Sequence, residues 1–219
     1  MRSLVQTETM KFAALASCVT VGVCYPRLAM WTDRPYQLWF LCFVLGWAAF
    51  MLWSFIFAWH RKYTGEEVLM AKIRPSLWAA ATVAGLIGSS FLLFGIDSVL
   101  RPLAPEDYPA TMRAWLAMTL FILAFDQLFL CFAPFAFFVR LVQRRNVALG
   151  LTVLFGVFLM YLKARSWHGQ FSALFIMTLF AWRIVAGYLS VHFYLNGGVA
   201  LTWWWVFLLQ LRHLVDLLK

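Results

Sequence analysis

The chain has 219 residues, of which 64% are hydrophobic and 12% charged, about half the roughly 25% charged usage of soluble domains. That excludes a soluble globular protein and leaves one all-α, polytopic transmembrane helical bundle of about seven membrane segments, a single membrane domain over 1–219. The net charge of +9 taken alone would suit a nucleic-acid partner, but its distribution argues against one. The basic residues fall in short links between apolar runs, where membrane lipid headgroups meet them, and form no stripe interleaved with exposed aromatics.

Segment one, residues 12 to 31, is interrupted by Pro26 and Arg27 and is expected to be tilted, re-entrant or partly inserted. Segment two, 36 to 59, leads into a link holding Arg61, Lys62, Lys72 and Arg74. Segment three, 76 to 100, carries Ala81, Gly85 and Ser89 at four-residue spacing, a small-residue strip that lets another helix approach closely. The next link, "RPLAPEDYPATMR", contains acids and three prolines between Arg101 and Arg113.

Segment four, 114 to 139, has Asp126 and Gln127 at its centre and Pro134 two turns further on. The proline predicts a kink that frees the carbonyl of Leu130. A link with Arg140, Arg144 and Arg145 follows, then a short segment five, 147 to 162, expected to be tilted or only partly inserted. Segment six, 171 to 195, places Arg183 at mid-depth; segment seven, 198 to 218, carries His213 and Asp216 at i, i+3 spacing. Links two and four are the basic ones, which puts the N-terminus inside and the C-terminus outside a cell (plasma or inner) membrane. The four cysteines, Cys18, Cys24, Cys42 and Cys131, lie in apolar segments without a metal-type pairing.

Ionisable side chains at bilayer depth cost from about 2.5 kcal/mol upward and therefore face a bundle interior or a watery cavity. Arg183 cannot shed its proton, and Asp126 is its candidate counter-ion, either as a structural pair that fixes helix register or as part of a site for chemistry. His213 and Asp216 form two metal ligands, a carboxylate-oriented imidazole, or a polar pair at a wet helix end. Two residues do not make a zinc site, and a third would have to come from Asp126 or His192, so no metal and no cofactor is implied.

Gly197 and Gly198 in "YLNGGVALTWWWVFLLQLRHLVDLL" break one helix and allow a tight return. This stretch, and about residues 114–219 around it, resembles the CPBP family, the CAAX-protease and bacteriocin-processing (Abi) intramembrane proteases. In that family a Gly turn precedes a helix with a His followed four residues later by Asn or Asp. His213 fits the His; Asp216 comes three residues on, and Leu217 fills the fourth place. The family's Glu-Glu pair with a following Arg is represented by Asp126, Gln127 and Cys131. Its Phe-x-x-x-His motif falls where Phe155 and Phe158 stand without a His, His168 being too far along. The only true Glu-Glu pair, Glu66 and Glu67, lies in a charged link with Ala71 in the arginine's place.

The resemblance implies Asp126, His213 and Asp216 as candidate catalytic residues, with Gln127 and Arg183 in support. Asp126 is one methylene shorter than the Glu that would activate a water, and the middle His is replaced. The expectation is therefore a non-catalytic or altered member that binds a membrane protein or peptide within the bilayer. The alternatives are an active intramembrane endopeptidase with Asp126 as base, and a small-solute or proton carrier in which Asp126 and Arg183 line a path.

Overall fold

The computed structural model describes residues 7–64, 67–69, 73–165 and 171–218. Glu66, Ala71, Lys72 and His168 lie outside them. Every regular element among the described residues is helical. Six helices are long and apolar enough to cross a membrane: α1 (Thr7–Leu28), α2 (Pro35–His60), α3 (Pro75–Leu100), α4 (Met112–Val142), α5 (Arg145–Ala164) and α6 (Ala173–Leu217).

At 22 and 20 residues, α1 and α5 are both long enough to span. Pro26 falls in the last turn of α1, where it removes only the bond its amide would make to the carbonyl of Gly22, and α5 extends beyond its apolar run to Arg145 and Lys163, whose long stems carry charge towards the membrane surfaces. In α4 two π-helical stretches, Ile122–Asp126 and Leu128–Phe132, directly precede Pro134, the kind of wide turn found where the regular i→i−4 ladder is interrupted.

Helix α6 covers 45 residues but is not one straight rod. Gly198 has φ 75° and ψ −168°, a region essentially closed to residues with a side chain. The hydroxyl of Thr202 donates to the carbonyl of Ser190 at 3.4 Å, and the indole N–H of Trp205 donates to the Ser190 hydroxyl at 3.2 Å. In a straight helix, residues twelve apart would be separated by about 18 Å. The chain therefore folds back at Gly198, and an outgoing arm (173–197) lies beside a return arm (199–217).

The fold-back creates a need for acceptors, because the first amides of a helix have no partner within it. The link after α2 meets that need: the amides of Val199 and Ala200 donate to the carbonyls of Val68 and Leu69, each at 3.0 Å. A Cβ at Gly198 would stand 2.9 Å from the Val68 carbonyl oxygen. The return arm then packs on the small-residue strip of α3, where a Cβ at Gly85 would come within 2.7 Å of Leu208, and Ala81 is fully buried. Lipid offers apolar side chains as good a surroundings as protein does, so this close fit supplies dispersion attraction that the hydrophobic effect does not.

The remaining helices pack on α6 and on one another. Ser17 of α1 donates to the carbonyl of Gly46 at 2.6 Å, and Trp53 of α2 donates to Thr20 at 3.0 Å. Trp53, Phe132 and Tyr194 join α2, α4 and the outgoing arm in one buried cluster, while Phe193, Leu201 and Trp205 anchor a second against α3. Gly198→Ala is expected to lower stability by about 1–3 kcal/mol through the strained backbone alone, and further through the contact with Val68. Gly150→Ala, with nothing within 4 Å of the added carbon, is the control and should not lower the thermal unfolding midpoint of the detergent-solubilised protein.

Candidate functional site

Two cavities in the bundle are lined by clustered polar side chains. The first is a cavity of about 20 Å³ at mid-membrane, lined by Gln127 and Cys131 of α4, Thr152 and Gly156 of α5, and Arg183 and Ser190 of the outgoing arm. The Arg183 Nε donates to the carbonyl of Gly156 at 3.2 Å. That approach requires a glycine, since a Cβ at 156 would lie 2.8 Å from the guanidinium. Thr152 donates to the carbonyl of Ala148 at 2.8 Å, and Ser190 accepts from Trp205. Gln127 is 9% exposed and stands between the two π-helical stretches of α4. Such wide turns re-aim side chains and recur at functional positions.

Asp126 does not line this cavity. Successive residues on a helix differ by about 100° in direction, and because Gln127 takes the inward slot, Asp126 is turned towards α1, where its charge acts on Cys24. Arg183 is the cation that acts on Asp126 most strongly, yet no direct ion pair joins the two among the described residues. The counter-ion expected for Arg183 is thus replaced at contact distance by a backbone carbonyl.

The second centre lies at the end of the bundle where α3 gives way to α4. Asp97, 4% exposed, closes a π-helical turn, Leu92–Asp97. It accepts from the Arg212 guanidinium at 2.8 Å and from the Tyr108 hydroxyl at 3.0 Å. Arg212 also donates to the carbonyl of Leu209 at 2.6 Å. Alongside, Arg101 pairs with Asp216 at 2.5 Å and Lys163 with Asp107 at 2.7 Å. A cavity of about 220 Å³ opens among Asp97, Tyr108, Lys163, Arg212 and His213. Burial and the negative charge of Asp97 together push the Tyr108 phenol well above its ordinary range.

His213 is 3% exposed, rests against the Tyr108 ring at 5.5 Å, and its Nδ1 has no hydrogen-bond partner. The carboxylate of Asp216 is engaged by Arg101, so it does not orient this nitrogen. Neither of these two cavities brings Asp126, His213 and Asp216 together: Gln127 and Arg183 line the first centre, His213 the second, and Asp126 and Asp216 neither. Asp97, Tyr108 and Arg212 had no place in the sequence reading. The signal that singled out Asp126, an acid inside an apolar run, was equally present in "LLFGIDSVL". Comparison with family models, with curated proteins and with solved structures finds no match.

The first centre offers a cation and neutral polar groups; the second, ion pairs of balanced charge. In the second, the raised phenol implies a definite sign. A group whose folded pKa lies above its unfolded value contributes stability that is complete below the unfolded pKa, near pH 10 for Tyr, and that disappears as pH rises towards the folded value. The midpoint of thermal unfolding should therefore fall more steeply above about pH 10 in the parent protein than in Tyr108→Phe. Arg212→Met, which leaves the Asp97 carboxylate without its cation, should cost about 3–5 kcal/mol by chemical denaturation.

Proposed function

We propose that the chain is a non-catalytic, CPBP-type protein of the cell membrane, with its two α6 arms counted as separate crossings to give seven, that binds a protein or peptide segment within the bilayer. The observation that supports the reading best is the composition of the mid-membrane cavity. It gathers Gln127 and Cys131, which stand where the resemblance calls for an acid and an arginine, together with Thr152 and Gly156 from the helix that would carry the middle motif. No carboxylate and no imidazole is among the residues that line it. Activation of a water for attack on a peptide bond needs a base within hydrogen-bond reach of that water, and an amide, a thiol and a guanidinium do not serve.

A place for the bound segment is offered by a separate apolar groove of about 550 Å³ between α1, α2, α4 and the return arm, walled by Leu15, Val19, Phe57, Leu123 and Trp203. Its volume is in the range of ligand sites, about 300–1,000 Å³. The Trp203 indole nitrogen is buried without an acceptor, a donor suited to a carbonyl on an entering chain. Lipid fills such a groove when no partner is bound.

The test is reconstitution with a synthetic single-span peptide and a photoreactive residue in place of Leu15. The expected outcome is a crosslinked, uncleaved peptide, with crosslinking reduced at least several-fold by Trp203→Ala. Cleavage of the peptide that Asp126→Asn abolishes would contradict the reading in favour of an endopeptidase. Solute flux in the same vesicles that responds to Asp126→Asn would contradict it in favour of a carrier.

A further inference from the structure

Arg183 presents an unfinished set of hydrogen bonds. A guanidinium carries five N–H donors; among the described residues only Nε has a protein acceptor, the carbonyl of Gly156. The remaining donors belong to a side chain that lines the mid-membrane cavity. Around the same space, Gln127 makes no hydrogen bond with a described residue, and the hydroxyl of Ser190, which accepts from Trp205, keeps its own proton available. Thr152 faces the cavity too, but its hydroxyl proton is committed to Ala148. The space thus collects a full positive charge and two further donors.

The supply of negative charge does not match. Asp126 lies within electrostatic range of Arg183 but outside the cavity and without a direct pair. A carbonyl satisfies geometry and leaves the formal charge without a counter-ion at contact distance in a medium of low dielectric constant. A water molecule in the cavity would supply an acceptor without supplying the charge. At about 20 Å³ there is room for one particle of roughly water size, which favours a monatomic anion over a carboxylate-bearing metabolite or a phosphate ester.

We propose that this cavity is a binding site for a single halide ion, chloride under ordinary conditions, held by the Arg183 guanidinium with Gln127 and Ser190 as neutral donors. The ion acts as the missing counter-charge between α4, α5 and the outgoing arm, and so ties the packing of these three helices to the anion present. The proposal is independent of whether the groove beside α1 takes a peptide.

Two measurements on the full chain test it. The first is anomalous scattering from crystals grown in sodium bromide, where a bromide peak is expected in the cavity within hydrogen-bond distance of Arg183; a water only at that position overturns the proposal. The second is thermal unfolding in detergent, in sodium chloride against sodium gluconate at equal ionic strength. Chloride should raise the midpoint by about 3 °C for each tenfold increase above its dissociation constant. Arg183→Gln should abolish that rise, and Gln127→Leu, which keeps the charge, should weaken chloride binding several-fold. A midpoint that ignores the anion, or a bromide peak without any effect of chloride on unfolding (binding at crystal concentration only), overturns the proposal, as does a chloride effect of full size in a folded Arg183→Gln protein.

Discussion

A helix that starts at a tight turn must find acceptors outside itself for its first amides. The two bonds from Val199 and Ala200 to the carbonyls of Val68 and Leu69 meet that requirement, and the rest of the bundle depends on them. They fix the point at which α6 turns back, and they tie the α2–α3 link to the turn. With the fold-back in place, Thr202 and Trp205 reach Ser190, Leu208 settles on Gly85, and Arg212 arrives beside Asp97. Gly198 is the residue that makes the geometry accessible, because any side chain there would meet both a forbidden backbone conformation and the Val68 carbonyl.

The consequence for chemistry is a separation of polar groups along the bundle. The outgoing arm carries Arg183 to mid-depth, where α5 accepts it through Gly156. The return arm carries Arg212 and His213 to the end of the bundle, where Asp97 and Tyr108 are waiting. Each centre solves the cost of a buried charge in its own way. At the end of the bundle, acid and base meet directly with hydrogen bonds on both carboxylate oxygens, the arrangement that makes a buried pair tolerable. At mid-depth the cation has a carbonyl, an amide and a hydroxyl around a small cavity.

Much of the scaffold was legible in the sequence. The Gly197–Gly198 turn, the strip Ala81–Gly85–Ser89 and the apolar runs all act through local backbone geometry or small size, properties that a sequence states directly. The facing of Asp126 was not legible, because the π-helical stretches on either side of Gln127 shift the register on which a 3.6-residue reading relies. The network around Asp97 was missed for a different reason. Its partners Tyr108 and Arg212 come from a loop and a distant helix, and sequence spacing carries no information about such contacts. Asp216 shows the same limit: its closeness to His213 in sequence was visible, whereas its pairing with Arg101 from the end of α3 was not.

The central claim is that mid-membrane and bundle-end polar groups form distinct centres, so that no imidazole serves the cavity beside Arg183. The most direct measurement is the distance between spin labels at positions 127 and 213 in a cysteine-replaced background reconstituted in lipid. The turns of α4 between Met112 and Gln127, at about 1.5 Å per residue, predict a separation on the order of 20 Å. A distribution centred within direct contact of the two labels would contradict the account and place His213 in the cavity after all.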